Sequence, residues 1–275
     1  MEDPTAIVIV LHATAIIVLH ATQINIKLVL SPIINKLIMG LFNYIIEFMA
    51  KVIFEYDINQ DAQNIFRVIT TEPIFDKDNI KRVLGKLDAD LIAKVKKEND
   101  ANNQKIIIGD YLKDFYLKNK ALIDSKIISF GEKWEKINQV YFERLSFLLN
   151  VKIEENISYK AYLTSAGSCP FNVSEKWFMV RITDEEVNNV AVHEIMHIEF
   201  IRAYGYFCKN LGLSPKQFGD LKEGLTVLLN EEMGDILARP DYGYEEHQLI
   251  RQKIQEIWRE NKDFKRLIER IANLL

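Results

Sequence analysis

Cysteine is scarce in this chain of 275 residues, and neither sign of charge dominates it. Its two cysteines, Cys169 and Cys208, are too few for a disulfide framework, so we expect a reducing, cytoplasmic compartment. The formal net charge of -4 gives no electrostatic reason to expect nucleic acid as a partner. A hydrophobic fraction of 48% beside 27% charged residues predicts instead a globular protein with a substantial core.

The apolar stretch at residues 7–54 lacks the features of a secretory signal or a membrane span. Glu2 and Asp3 precede it and no basic residue does, which is the wrong charge for a secretory signal. Polar and charged side chains recur in its second half, at Lys36, Asn43, Glu47 and Lys51. We therefore expect a packed core helix from residue 31 to about residue 54 and no membrane partner, with a membrane-apposed protein as the alternative.

The beginning of the chain contains a short tandem copy. Residues 9–16 read IVLHATAI and residues 17–24 read IVLHATQI, so the two copies are identical at seven of eight positions. Eight residues are too few for a solenoid repeat, and we assign this segment no function. We expect residues 1–23 to be irregular and residues 24–30 to form a strand.

The stretch His193-Glu194-Ile195-Met196-His197 has the spacing H-E-x-x-H. In a helix, residues four apart lie one turn above each other on one face, so His193 and His197 can bind one metal ion. Glu194 then lies close enough to hold a water molecule on that metal. Two imidazoles and a carboxylate base are the groups that zinc-activated attack of water on a carbonyl requires. A surface helix with two ordinary histidines is the alternative.

A catalytic zinc usually has three protein ligands, so a third must lie elsewhere in the chain. The metzincin spacing H-E-x-x-H-x-x-G-x-x-H is absent, because Phe200 and Ala203 stand at its Gly and final His positions. Glu223, followed by Gly224 and an apolar run, is one candidate for the third ligand. It could instead complete a capping box that Asp220 begins. Its rivals as the ligand are Glu199, Glu231 and His247.

With Glu223 included, these residues resemble the gluzincins, the group of thermolysin and the membrane aminopeptidases. In those families a Glu on a second helix, some twenty or more residues after the second histidine, completes the zinc site. Here 25 residues separate His197 from Glu223. The resemblance covers about residues 159–231. It implies a zincin-like core of a small mixed sheet, the H-E-x-x-H helix and a glutamate helix, with an edge strand that pairs with an extended substrate.

Two positions depart from the gluzincin pattern. Thermolysin-like enzymes place an Asp four residues after the ligand Glu to orient a histidine, and Val227 stands there in this chain. We expect Asn189, Asn230 or a backbone carbonyl to take over that contact. The aminopeptidases carry an upstream G-x-M-E-N motif whose Glu holds the free amine of the substrate. Residues 166–172 contain no acidic residue, which favours an endopeptidase.

A loop after the glutamate helix offers candidates for a further catalytic role. Zinc peptidases often use a Tyr or His beyond the third ligand to donate a hydrogen bond to the developing oxyanion. Tyr242, Tyr244 and His247 are the candidates here. The alternative is a turn with two packing tyrosines.

The pattern of apolar residues predicts an α+β, mainly helical protein with two regions. Residues 1–150 form a mainly helical N-terminal region, and residues 151–275 form the zincin-like metallopeptidase domain. Strands are predicted at residues 157–163 and 177–182. Thr183 and Glu186 form a capping box that predicts the start of the H-E-x-x-H helix. The predicted helices span residues 79–97, 110–123, 132–149, 184–206, 215–238, 244–258 and 263–274.

Together these features predict zinc-dependent hydrolysis of peptide bonds, with a peptide or protein as the substrate. His193, His197 and Glu223 are the predicted ligands of Zn²⁺, and Glu194 is the predicted general base on the zinc-activated water. The alternative is a non-catalytic or autoinhibited zinc-binding protein that acts as a partner-binding module.

Overall fold

The computed structural model describes residues 50–70 and 87–275. Within these residues the protein is mainly helical with one small mixed sheet, which confirms the predicted α+β class. The tandem copy and the strand predicted at residues 24–30 lie outside the described residues, as does most of the helix predicted at residues 31–54. No helix in the described part of the chain is both long and apolar enough to cross a bilayer.

The sheet has four strands in the order β1-β2-β4-β3, namely β1 Lys51–Glu55, β2 Ser158–Thr164, β3 Phe171–Asn172 and β4 Trp177–Arg181. Strand β2 pairs in parallel with β1 and β4, and β3 pairs antiparallel with β4 at one edge. The strands predicted at residues 157–163 and 177–182 are confirmed as β2 and β4, with ends that differ by one residue.

The prediction that a helix continues to residue 54 is wrong, because Lys51–Glu55 is strand β1. Val52, Ile53 and Phe54 belong to the β-branched and aromatic types that favour strands. A short apolar run does not by itself distinguish a buried strand from a buried helix. In β1, Phe54 stands opposite Ala161 of the central strand β2, and its side chain is buried.

The helices of the described residues are α1 Ile58–Thr70, α2 Ala89–Lys97, α3 Ala101–Glu135, α4 Asn138–Leu149, α5 Val187–Asn210, α6 Pro215–Leu225, α7 Val227–Met233, α8 Gln248–Glu260 and α9 Phe264–Ala272. A 3₁₀ turn at Glu245–His247 precedes α8. The helices predicted at residues 244–258 and 263–274 are confirmed as this turn with α8 and as α9, which Asp263 caps. Helix α2 confirms the last part of the helix predicted at residues 79–97, but it begins only at Ala89, where Asp88 caps it; residues 79–86 lie outside the described residues.

Helix α3 joins two stretches that the sequence analysis separated. We predicted a break between residues 123 and 132, whereas α3 runs through it and the chain turns only after Glu135. Ile123, Phe130 and Trp134 are buried along one continuous helix, and Ser125 in the supposed break is exposed. Polar residues on the outer face of an amphipathic helix therefore resembled a linker.

The predicted capping box at the start of α5 is wrong. Helix α5 begins at Val187, and the residue before it, Glu186, makes no side-chain cap. Asp184 instead accepts hydrogen bonds from the backbone N–H and the Nε of Arg181, at 3.0 and 2.9 Å. The helix itself is confirmed, although it starts later and ends later than predicted.

The single helix predicted at residues 215–238 is interrupted at Thr226. The Thr226 Oγ1 donates to the carbonyl of Glu223 at 2.9 Å, and α7 begins at the next residue. Helix α6 starts with a capping box formed by Ser214 and Gln217. The alternative that Asp220 and Glu223 cap this helix is therefore wrong, since both lie inside it.

Two hydrophobic clusters form the core. The larger one packs the sheet against α4 and α5 and includes Tyr141, Leu145, Tyr159, Phe178 and Ile195. It draws residues from both sides of position 150, so the two regions predicted from the sequence share one core. The smaller cluster joins α1, α2 and α3 through Ile65, Leu91, Val95, Ile108 and Leu112.

Candidate metal centre

The predicted metal ligands come together between α5 and α6. His193 and His197 lie on α5, and Glu223 lies on α6; one ligand atom of each lies within 4.8 Å of the other two. The Glu223 Oε2 is 3.4 Å from the His197 Nε2 and 3.7 Å from the His193 Nε2. It is the only group of three or more His, Cys, Asp or Glu of this kind within residues 50–70 and 87–275.

These distances fit a zinc ion. Tetrahedral coordination with bonds of ~2.0–2.1 Å separates the ligand atoms by about 3.3 Å. The His197 Nε2 is also buried and has no hydrogen-bond partner within the described residues. A buried imidazole nitrogen without a partner is costly unless it binds something, and here it faces a carboxylate and a second imidazole.

The ring of His197 is enclosed by the H-E-x-x-H helix and the sheet. Its side chain is 3% exposed, compared with 20% for His193. The two imidazole rings meet edge to face with centroids 4.4 Å apart, as expected for residues one helical turn apart. Phe171 of the edge strand β3 lies against the other side, 5.6 Å from the His197 ring centroid. Strand β3 therefore lies beside the candidate site.

The His193 ring is oriented by Asp241, which the sequence analysis did not identify. The Asp241 Oδ2 is 2.7 Å from the His193 Nδ1. A carboxylate that accepts the Nδ1–H of an imidazole fixes its tautomer and leaves Nε2 free to bind a metal. Asp241 belongs to the loop singled out for its tyrosines, so an acidic residue in that loop was the available signal.

Asn189 and Asn230, which we predicted to orient a histidine, instead hold the Asp241 loop. The Asn230 Nδ2 donates to the carbonyl of Asp241 at 2.8 Å, and the Asp241 N–H donates to the Asn230 Oδ1 at 2.7 Å. The Asn189 Nδ2 donates to the carbonyl of Arg239 at 2.6 Å. Both amides thus act on backbone that carries Asp241, and the prediction of a direct contact is wrong.

Burial and charge shift the pKa values of the two histidines in opposite directions. Burial and, to a smaller extent, the charge of the neighbouring His193 lower the pKa of His197 to about 3. Burial also acts to lower the pKa of His193, but hydrogen bonds to Asp241 and Glu223 outweigh it and raise the value to about 10. Interactions with the two histidines outweigh burial and hold the pKa of Glu223 far below its ordinary range. Without a metal, His193 therefore carries a proton between two carboxylates.

Glu194 has the pKa of a general base that works at neutral pH. Burial raises the pKa of its carboxyl to about 7, while the charges of His193 and Lys222 act in the opposite direction. A base whose pKa lies near the working pH combines a large unprotonated fraction with a useful affinity for the proton. Such a shift beside a cluster of possible ligands is typical of functional sites.

Lys222 is a second residue of the site that the sequence analysis missed. Its ammonium group donates to the Glu223 Oε1 and lies 5.1 Å from the centroid of the Phe171 ring. The cation therefore stands at the oxygen of Glu223 that does not face the histidines. No sequence signal indicated this contact, because adjacent residues on a helix normally point in different directions.

The three candidates for oxyanion stabilisation lie on or next to the loop that carries Asp241. Tyr242 is 62% exposed, and its ring lies 6.0 Å from the guanidinium carbon of Arg239. His247 is buried, with its Nε2 3.2 Å from the Asp220 Oδ1 and its ring edge to face with Tyr244. A catalytic role for any of the three stays a prediction.

The rival third ligands lie elsewhere. Glu199 is fully buried, where its carboxylate accepts hydrogen bonds from the Tyr159 hydroxyl at 2.7 Å and from Arg202. Glu231 accepts hydrogen bonds from Gln255 and Arg259 of α8. Neither belongs to the histidine cluster, which leaves Glu223 as the carboxylate that meets both imidazoles.

The loop between β2 and β3 is held by buried polar contacts from α1. The carboxylate of Asp61 accepts hydrogen bonds from the hydroxyls of Thr164 and Ser165, at 2.6 and 2.9 Å. The Asn64 Nδ2 donates to the carbonyl of Ser168 at 2.8 Å. Cys169 follows, and burial together with the charge of Glu194 raises the pKa of its thiol to about 12. These contacts fix the path of the chain into β3.

Comparison of the chain with protein-family models, with curated proteins and with solved structures finds no match. The resemblance to the gluzincins consequently depends on the H-E-x-x-H spacing and on the position of Glu223.

Proposed function

We propose that this protein is a zinc metallopeptidase of gluzincin type with a zincin-like core. The observation that carries the proposal is the convergence of His193, His197 and Glu223, with an unpartnered buried imidazole nitrogen. The buried carboxyl of Glu194 is close enough for its charge to interact with those of His193 and Glu223. Two nitrogens and one oxygen at this spacing match the ligand types and distances of catalytic zinc sites.

The number of ligands supports a catalytic ion over a structural one. Structural zinc sites are closed by four protein ligands, whereas catalytic sites have three and leave one position for water or substrate. Among the described residues no fourth His, Cys, Asp or Glu joins the group. When bound, zinc would supply Lewis-acid chemistry that activates water and polarises a substrate carbonyl.

In this proposal Glu194 moves the proton. Its carboxylate accepts a proton from the attacking water and returns it to the amine nitrogen that leaves when the peptide bond breaks. The pKa of about 7 lets one group perform both transfers at neutral pH. Asp241 keeps the ring of His193 in place during these transfers, because it accepts the Nδ1–H.

The substrate of this proposal is an extended peptide. Strand β3 is the edge of the sheet in the described residues and lies beside His197 through Phe171. An edge strand can add an extended peptide by backbone hydrogen bonds. Residues 166–172 offer no carboxylate to hold a free amine, which favours cleavage within a chain.

The full-length chain, reconstituted with zinc, tests the proposal. We expect about one zinc per chain, loss of zinc in His193→Ala and His197→Ala, and chelator-sensitive cleavage of a peptide library. Glu185→Gln is the matched control, because Glu185 is exposed and precedes α5. Wild-type protein that binds no zinc would end the proposal, and zinc binding without any hydrolysis would indicate the non-catalytic alternative.

A further inference from the structure

Arg251 of α8 is a buried arginine that contacts residues supporting the candidate metal centre and does not contact the ligand atoms themselves. Its exposed fraction is 3%. The Nη1 donates to the Thr226 Oγ1 at 2.7 Å and lies 3.5 Å from the carbonyl oxygen of Glu223. The Nη2 donates to the carbonyl of Asp241 and lies 3.1 Å from the Asp241 Oδ1. One guanidinium group therefore contacts the loop that carries Asp241, Thr226 between α6 and α7, and the backbone of Glu223 in the last turn of α6.

The two carboxylate oxygens of Asp241 contact different partners, His193 on one side and Thr226 with Arg251 on the other. The Oδ2 faces the His193 Nδ1, whereas the Oδ1 lies 3.0 Å from the Thr226 Oγ1 and pairs with Arg251. The side chain is 12% exposed, so protein groups rather than water fix its orientation. A planar guanidinium group presents its donors in fixed directions, so Arg251 contacts the Thr226 hydroxyl and two oxygens of Asp241 together, which a flexible Lys does not do.

Two glycines make room for this arrangement. Gly243 has φ +63°, and a Cβ at this position would lie 2.6 Å from the Arg251 Nη1. A Cβ on Gly224 would lie 3.0 Å from both the Ile250 Cγ2 and the Ile254 Cδ1. Gly243 thus lets the loop close over the guanidinium group, and Gly224 lets α8 approach the helix of Glu223. The close approach of α8 therefore explains why a glycine follows Glu223, a point on which the family resemblance gave no information.

We infer that Arg251 is a positioning residue of the metal centre that acts on His193 through Asp241. The inference rests on the proposed function, since it assumes a metal at His193, His197 and Glu223. The rival interpretation is that Arg251 stabilises the fold and has no influence on the metal. Removing it leaves a buried carboxylate without its cation, which frees Asp241 to turn away from His193.

Zinc affinity, measured by competition with a chromophoric chelator, separates the two interpretations. We expect Arg251→Met and Asp241→Ala each to weaken zinc binding by about 10- to 100-fold, the range for residues that orient a metal ligand. Because both act on His193 through one contact, the double variant should lose little more than either single variant. Arg251→Lys should recover only part of the affinity.

Ile254→Ala is the matched control on the same helix. Ile254 is fully buried and packs beside Gly224, so truncating it should lower the melting temperature and leave zinc affinity unchanged. Wild-type zinc affinity in Arg251→Met beside a loss in Asp241→Ala would overturn the inference. Losses that multiply in the double variant would overturn it as well, because the two residues would then act independently.

Gly243→Ala provides a second route if Arg251→Met does not fold. It displaces the guanidinium group and keeps every polar partner. We expect weaker zinc binding and an altered visible spectrum of the cobalt-substituted protein, and wild-type values for both would overturn the inference. A wild-type protein without zinc affinity would overturn both proposals. Zinc binding without hydrolysis would overturn the peptidase alone, and the affinities of the variants would still decide the role of Arg251.

Discussion

The Nδ1 of His193 and the Oδ2 of Asp241 lie 2.7 Å apart, although 48 positions separate the two residues in the chain. The contact links the H-E-x-x-H helix to a loop that follows the glutamate helix. It gives the candidate site a carboxylate-imidazole pair of the kind that orients metal-binding histidines. It also accounts for the proton that His193 holds when no metal is present, which leads to a measurable dependence on pH.

The metal-free protein should lose stability as the pH rises from about 7 to about 10. The pKa of His193 is raised from 6.5 to about 10 in the folded state, so its contribution is complete below pH 6.5 and is lost as the proton leaves. The pKa of Glu194, raised to about 7, acts in the same direction below this range. Urea unfolding of chelator-treated protein at several pH values measures the effect. His193→Gln should show a much flatter profile, and an equally steep one would contradict the assignment.

Glu223→Gln should weaken zinc binding by at least about 100-fold with little change in fold, because it removes the carboxylate that meets both imidazoles. Glu231→Gln is the matched control, since Glu231 lies on the following helix and bonds to Gln255 and Arg259. Zinc titration of both variants measures the difference. Unchanged affinity in Glu223→Gln with a large loss in Glu231→Gln would transfer the ligand role to Glu231.

Glu194→Gln should keep zinc and lose hydrolysis by a factor on the order of 10², because an amide cannot accept a proton at neutral pH. Zinc content and turnover of a cleaved peptide are measured on the same preparation. Turnover at the wild-type rate would exclude Glu194 as the base.

Glu199→Gln should destabilise the protein by about 3 kcal/mol and leave zinc affinity unchanged. Glu199 is fully buried, and its carboxylate accepts hydrogen bonds from Tyr159 and Arg202. The change therefore disrupts a buried ion pair on α5, the helix that carries both histidines. The free energy of unfolding in urea measures the loss. The exposed Glu185→Gln should stay within about 0.5 kcal/mol of wild type. A zinc defect in Glu199→Gln would mean that the helix moves when this pair is broken.

The sequence predicted the parts of the site that depend on local periodicity. The position of His193 one turn from His197 follows from the pitch of a helix. Glu223 was expected early in a single long helix, whereas it lies near the end of α6, two residues before Leu225. The sequence could not predict the contacts that form between distant segments. Asp241 reaches His193 because the loop after α7 folds back onto the H-E-x-x-H helix, held by Asn230, and no spacing rule indicates where a loop returns.

The errors in the predicted secondary structure have related causes. Polar residues on the outer face of α3 resembled a linker, because exposure on a helix and exposure in a loop select the same residue types. Lys51–Glu55 resembled the end of a helix because a short apolar run shows neither the helical nor the strand periodicity that would distinguish the two. The pairing partner that makes it a strand, Ser158–Thr164, lies more than one hundred residues away.

The continuity of α3 has a consequence for how the protein melts. At 1.5 Å per residue its 35 residues extend over about 52 Å, and the helix contributes Ile108 and Leu112 to one hydrophobic cluster and Phe130 and Trp134 to the other. Neither cluster can come apart without exposing one end of a helix whose other end is still packed. The two clusters should therefore unfold in one calorimetric transition. A proline near the middle of α3, at Lys118, should separate that transition into two, because it would uncouple the two ends of the helix.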